Sequence, residues 1–590
     1  MRLVLHRNIP DDVTLREQWN GLVGTMERPE VFYTYEWAQA VQRAYGTSLQ
    51  PLLMLAYEND GLVGIVSLAT TRPGKDLCFL AATTADYCDF VCSPAHRAEF
   101  VWAVFEELHR LKMPNVVLAN LPAESATLHA IASTSSKFGY RLFSRPAYRC
   151  AQVWLHSSEQ RESVRRSVSR KQAARRHLAA MEKVAPVKLD HRRLGNEIAP
   201  LLPDFGRAHV ARCLLSGRFS NLVSAKRRVF LLELAKLLSE RGWMTFSRLL
   251  VGDRAVAWNY GFQFAGSWFW YQPTFDLHWQ QYSPGFCLLT KIVEEACCNE
   301  EIEIVDLGLG EEGYKDRVAT ASRPTVHVTA AQQWSRWAYE AVRYHVTVAI
   351  QTRPRLESWL RSGRDRLSHC KTRIRTSGLS GLCRWLQGRA KEAVLGEPEV
   401  FFFEWPEGQR RQQDSAADSL KMQELDLEIL ADAAMRYSDD EETLTYLFRA
   451  ARRLRATSSR GYALTDEEGA PVHFCWAVPF DGFFMAELSY RLSAPSPGAI
   501  LLFDCWTPVS VRGHGYYGEA ISRVASRLHA SGKRPWIFSS AANLASLQGV
   551  KKAGFEFRFS LTRRRMWRTP KVMTAPAAAY CQPSRDSSAA

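Results

Sequence analysis

No apolar run in this 590-residue chain reaches the roughly 20 residues that a helix needs to cross a bilayer. The start, Met1-Arg2-Leu3-Val4-Leu5-His6-Arg7, lacks the apolar core and cleavage site of a secretory leader, so the expectation is a protein that stays in the cytoplasm. The 13 cysteines contain no Cys-x-x-Cys. Most sit inside apolar stretches such as Leu77-Cys78-Phe79 and Phe474-Cys475-Trp476, and Cys297-Cys298 are adjacent. That pattern suits neither zinc nor a disulfide framework and predicts buried, reduced thiols with no metal. No Gly-Lys-Ser/Thr is present, which excludes a Walker phosphate loop.

What is present is length and positive charge. A chain this long exceeds one hydrophobic core and implies roughly two to four domains. The net charge of +15 points to anionic partners: nucleic acid, anionic lipid or an anionic small molecule. The most organised stretch is 498–518. An apolar run, Ile500–Trp506, reads as a buried strand, and Thr507-Pro508 ends it. Arg512-Gly513-His514-Gly515 follows. Ala520, Ile521, Val524, Ala525 and Leu528 then repeat at helical spacing. Strand, glycine turn and helix together build an anion site, because glycine lets backbone approach and a helix start offers free N–H groups. Gly513, Gly515 and Gly518 have the spacing of a dinucleotide fingerprint, but residues 520–555 hold no Asp or Glu to take a ribose.

The stretch resembles the acyl-CoA diphosphate loop of the GNAT acetyltransferases, Arg/Gln-x-x-Gly-x-Gly/Ala. Arg512 and Gly515 fill two marked positions, and Tyr517 stands at the third. Asn543-Leu544-Ala545-Ser546 and Ala553-Gly554-Phe555 fall where that family has its Asn-containing helix and closing Gly-Phe. The resemblance implies acetyl-CoA or another acyl-CoA as co-substrate, held by Val511, Arg512, Gly513, His514, Gly515, Tyr516, Tyr517, Gly518, Asn543 and Ser546. A second resemblance lies upstream. Gly242-Trp243 opens a strand meander, Ser283-Pro284-Gly285 opens a helix, and Asp306-x-Gly308-x-Gly310 precedes Tyr314-Lys315. Over residues 1–335 this is similar to the FemAB-like acyltransferases, and among them to a polysaccharide-associated "CelD-like" group. The fold class implied is α/β (α+β): tandem GNAT-like domains, each a mixed, mostly antiparallel twisted sheet flanked by helices. The expected divisions are 1–190 and 191–335 as two FemAB-like halves, 336–395 as a basic helical linker, 396–570 as a C-terminal GNAT domain, and 571–590 as a disordered tail.

Along the chain, residues 159–183 read as one basic, alanine-supported helix, by default a solvated face and in a sharper reading a phosphate or nucleic-acid surface. Segment 336–395 is rich in arginine with interspersed Trp and Leu. It reads as a solvated connector, or as an interfacial helix giving peripheral contact with anionic lipid. Helices are expected over 418–437 and 443–455, and strands over 461–465, 471–478, 483–490 and 500–506.

Acyl transfer from a thioester needs a base near the nucleophile, donors for the oxyanion and a proton for the thiolate. Asp504 is the expected base, as a carboxylate in an apolar strand is costly unless it has a role or a partner. Glu487 is the second candidate. The family's thiolate-protonating Tyr aligns with Val550, which leaves Tyr516, Tyr517 or water. In the N-terminal region the candidates are Asp306, Tyr314 and Lys315. Three functions are open at this point. One is an acyl-CoA-dependent N- or O-acyltransferase acting on a sugar or amine, in exopolysaccharide or cell-envelope synthesis. The second is a Fem-type transferase that uses aminoacyl-tRNA, with other nucleic acid disfavoured. The third is a scaffold of degenerate acyltransferase domains.

Overall fold

The computed structural model describes residues 1–70, 76–310, 312–351, 398–407, 419–455, 459–565 and 570–576. They fall in two compact units, one built on residues 1–212 and 221–354, the other on 213–220 and the described part of 355–590.

The first unit is one sheet of thirteen strands. They are β1 Arg2–His6, β2 Gln50–Glu58, β3 Gly61–Thr70, β4 Leu77–Phe79, β5 Val91–Cys92, β6 Asn115–Pro122, β7 Arg141–Trp154, β8 Val187–Arg192, β9 Met244–Val251, β10 Arg254–Phe264, β11 Ser267–Phe275, β12 Ile304–Asp306 and β13 Ala321–Ala331. Their order is β1-β2-β3-β4-β6-β13-β7-β12-β11-β10-β9-β8, with β5 beside β3. Two pairs are parallel, β4 with β6 and β11 with β12. Each is joined by a crossover that carries a helix, Arg97–Arg110 and Pro284–Cys298 respectively, as parallel neighbours require. The centre of the sheet is an exchange. β13, from the second half of the unit, lies between β6 and β7, while β7, from the first half, lies between β13 and β12. The halves at 1–190 and 191–335 thus share one uninterrupted ladder.

The second unit has an eight-stranded sheet. Its strands are β14 Glu399–Glu404, β15 Lys421–Glu424, β16 Arg460–Thr465, β17 Pro471–Pro479, β20 Ala499–Trp506, β21 Arg534–Ser540, β22 Glu556–Arg565 and β23 Pro570–Pro576, and a separate hairpin is made by β18 Phe484–Met485 and β19 Tyr490–Arg491. The order is β15-β16-β17-β20-β21-β14-β22-β23. Its parallel pair is β20 with β21. Fully buried Leu502, Ile521, Val524, Ala525 and Val550 form the core under helices Tyr516–Ala530 and Leu544–Lys552. Both sheets are mixed, mostly antiparallel and flanked by helices, the expected tandem GNAT-like class.

Several local expectations change. The basic segment 159–183 is two helices, Ser158–Ser169 and Gln172–Glu182, parted where Lys171 takes an extended conformation. The helix expected from 418 spans Leu427–Arg436, because Lys421–Glu424 pairs with β16 instead. The strand expected over 483–490 is the two-residue arms of the hairpin, turned at Ser489 with φ 50°. The tail expected from 571 begins as β23, which hydrogen-bonds along β22 from Arg565 to Phe559. β22, which carries Arg563–Arg565, therefore lies between β14 and β23. Of the linker, helix Trp334–Gln351 is described and the remainder lies outside the described residues.

Candidate functional site

The second unit's parallel pair is short and then opens. β20 and β21 pair from Ala499–Arg534 to Leu502–Ile537. Beyond that point β20 stays with β17, Trp476 opposite Phe503 and Phe474 opposite Trp506. β21 stays with β14, Phe538 opposite Phe402 and Ser540 opposite Val400. The two strands diverge, and the gap between Phe503–Trp506 and Phe538–Ser540 opens toward their C-terminal ends. A register shift between Phe503 and Trp506 marks a bulge in β20, where Asp504 has φ 46°. Such a bulge interrupts the ladder and re-aims side chains and amides.

The loop beyond this bulge contains the glycines that the sequence singled out. Gly513 and Gly515 have φ of 88° and 80°, left-handed conformations that suit glycine. Gly515 is the N-cap of helix Tyr516–Ala530 and no side chain caps that helix. The first amides of the helix therefore have no intrahelical acceptor and no cap. The other predicted members of the cradle gather around it. Arg512 donates from Nε to the Thr507 carbonyl at 3.0 Å and lies over the Trp506 ring. Val511 is the last residue of the short turn Val509–Val511, and its carbonyl meets His514 Nδ1 at 3.2 Å. His514 stacks on Tyr516. Asn543 caps helix Leu544–Lys552 by accepting from the Ser546 amide. Gly518 faces the Gly549 carbonyl on that helix. Tyr517 crosses from one helix to the other, its hydroxyl 2.9 Å from Ser546 Oγ and its ring against Gly549. Burial pushes that hydroxyl well above the ordinary phenol range, which keeps it protonated. Val550 is fully buried in the core and faces no opening.

Asp504 has a partner. Its carboxylate accepts from Arg453 Nη1 at 2.5 Å, and its carbonyl accepts from Tyr446 Oη at 3.1 Å. Arg453 also lies over the rings of Trp476 and Phe503. These contacts lock the bulge. Sequence reading missed Arg453, which is 51 residues away and carries no motif. Glu487 is exposed on the turn of the hairpin, off the main sheet.

In the first unit the parallel pair β11 and β12 is also short, and β12 ends where the pairing ends. They pair from Ser267–Ile304 to Phe269–Asp306, and the chain then turns at Leu307-Gly308. Asp306 is buried, and both its oxygens are engaged. Oδ2 accepts from Tyr87 Oη at 2.8 Å and Gln152 Nε2 at 2.7 Å, and Oδ1 from the Gly308 amide at 2.8 Å. Lys315 is equally buried. It donates to the Leu309 carbonyl at 2.6 Å and pairs with Glu312 at 3.0 Å. Tyr314 Oη accepts from Trp270 Nε1 at 3.2 Å. Asp86, unmarked in the sequence, backs this turn so closely that a Cβ on Gly308 would come within 2.6 Å of its Oδ2. Burial, reinforced by Asp306, raises the Asp86 carboxyl to about 7. Below them Arg323 bridges Glu30 and Glu124, and burial lifts Glu30 to about 7. The structure thus brings Asp306, Tyr314 and Lys315 to one turn.

The corresponding helix start in this unit, at Pro284, is closed. Ser283 does not cap it with its side chain, but sits at φ 47° with its carbonyl accepting from the Phe286 and Cys287 amides. Gly285 is covered by Phe275. Pro284 offers no N–H and the Phe286 amide is engaged, so this start presents fewer open amides than helix Tyr516–Ala530.

Residues 168–316 match the family model described as an acetyltransferase (GNAT) domain. None of the curated protein sequences matches the chain. Similar solved structures include FemX, 7% identical with a TM-score of 0.41 over 58% of this chain and 100% of that one. A conserved protein of unknown function from Bacteroides thetaiotaomicron is 12% identical, with a TM-score of 0.40 over 56% of this chain and 100% of that one. A tandem GNAT protein from the clavulanic acid biosynthesis pathway is 11% identical, with a TM-score of 0.32 over 56% and 99%. Residues 168–316 of this chain thus match an acetyltransferase (GNAT) domain, and each of the two units carries a short parallel strand pair.

Proposed function

We propose that this protein transfers an acyl group from a CoA thioester to an amine or hydroxyl, and that loop Arg512–Gly518 holds the CoA diphosphate. The observation that carries this reading is the uncapped helix start behind two left-handed glycines, at the mouth of diverging strands. Oriented amides and the helix dipole favour a diphosphate there. The net charge of +15 favours any polyanion. In the reaction the acceptor nitrogen or oxygen attacks the thioester carbonyl carbon, the C–S bond breaks, the acceptor loses a proton and the thiolate gains one. The bulged strand at Phe503–Cys505 supplies backbone donors near the carbonyl. Asp504 is the proposed base; Arg453 holds its Oδ2, and the other carboxylate oxygen takes the proton. The resemblance to polysaccharide-associated acyltransferases supports a sugar or envelope precursor as acceptor.

A second reading puts chemistry in the first unit, and buried Lys315 between Gly308 and Glu312 favours it. There Lys315 would hold an anionic acceptor, with Asp306 and Tyr314 fixing the turn.

Calorimetric titration of CoA into the full chain tests the donor reading. The wild-type protein is expected to bind, and Arg512→Glu with Gly515→Asp to lose binding by more than tenfold with an unchanged unfolding midpoint. Equal affinity in the two proteins excludes the loop as the cradle.

A further inference from the structure

We propose that Tyr517 is a built-in plug across the donor channel of the second unit, and that CoA enters only when its side chain leaves the groove between helices Tyr516–Ala530 and Leu544–Lys552. This rests on the reading of Arg512–Gly518 as the diphosphate cradle. The channel is defined by the strand pairings. β20 and β21 part after Leu502 and Ile537, and each strand leads through a loop into one of the two helices. A thioester arm running from the loop amides into the gap must pass between the two helix starts. Tyr517 stands there, on the first turn of one helix and in contact with the other.

Three contacts hold it. Its hydroxyl bonds Ser546 Oγ at 2.9 Å. Its ring lies so close to Gly549 that a Cβ there would meet Tyr517 Cδ1 at 2.4 Å. On its other side the ring meets His473, centroid to centroid 5.7 Å. Gly549, inside a helix, thus has a packing reason, since only a residue without Cβ leaves room for this ring.

The packing around the plug is imperfect. His473 is 1% exposed, its Nδ1 meets Thr507 Oγ1 at 2.8 Å, and its Nε2 has no partner among the described residues. An orphaned buried polar atom is costly, so the closed arrangement lacks a fully satisfied interior. On the opposite face of the gap Phe483 touches both Phe503 and Phe538, at 5.1 and 6.3 Å, bridging the diverging strands. Both faces of the gap are thus occupied by the chain's own aromatic rings.

A ligand that binds only the open state has its affinity reduced by the fraction of open molecules. Loosening the plug should therefore tighten binding without adding a contact. The experiment is calorimetric titration of CoA into the full-length wild type, Tyr517→Ala, Gly549→Ala and Ser546→Ala. Gly549→Ala displaces the ring while keeping the tyrosine, and Ser546→Ala removes only the hydroxyl hold, so the test survives if one variant fails to fold. The expected result is about tenfold or more tighter binding for Tyr517→Ala and Gly549→Ala, and a smaller gain for Ser546→Ala. If the wild type binds through Arg512 and Gly515 but no folded variant binds tighter, the plug is overturned while the cradle stands. If neither wild type nor variants bind CoA, both are overturned.

Discussion

At the scale of single residues, the chain keeps charge where charge is costly and surrounds it. Arg323 and Glu30 are both 5% exposed, and Arg323 also reaches Glu124 and lies over the Tyr87 ring. Removing one member of such a set strands the other. Arg323→Met should destabilise the protein by about 3–5 kcal/mol, read as a lower urea midpoint, and a loss below about 1 kcal/mol would show that the pair is not dry. Asp86 makes a prediction in pH. Its carboxyl stands at about 7 in the folded chain against an ordinary 3.8, so the folded protein retains a proton that the unfolded chain has released. Its contribution to stability is thus complete below about pH 4 and is lost as pH rises to about 7. Asp86→Asn should remove that part of the slope, so that its stability relative to wild type improves by about 2–4 kcal/mol between those limits. Unfolding free energies across that range check it, and parallel curves would contradict it. None of these partners was legible in the sequence. Tyr87 and Asp306 are 219 positions apart, and no spacing rule reaches that far. By contrast, Gly513 and Gly515 were legible because a left-handed turn between strand and helix is a local demand that glycine meets.

At the scale of elements, periodicity found β17 and β20 and the helix after the loop, since each buries a face that its own sequence marks. It misread 483–490, where apolar residues belong to a hairpin with two-residue arms, and 418–437, where sheet pairing outweighs helical composition. The exchange of β7 and β13 was beyond it altogether, because hydrophobic pattern fixes which face a strand buries but not which neighbour it takes. That exchange has a consequence. A fragment of residues 1–190 would leave β6 and β7 without the strand between them, and a fragment of 191–335 would leave β12 and β13 likewise. Each alone should lack a cooperative thermal transition, while co-expressed fragments should assemble and regain one. A fragment that melts cooperatively on its own would contradict the shared ladder.

At the scale of the whole molecule, two sheets repeat one device: a short parallel pair with a loop at its end. In the first unit the loop carries Asp306, Tyr314 and Lys315, and the adjoining helix start is closed by Ser283 and Phe275. In the second the helix start is open and the gap beyond it is filled by Tyr517 and Phe483. On the proposed reading, the donor binds in the second unit. Hydrogen–deuterium exchange of the full chain with and without acetyl-CoA tests that assignment most directly. The account predicts slowed exchange at residues 507–519 and 543–549. Slowing confined to residues 84–90 and 306–316, with 507–519 unchanged, would contradict it.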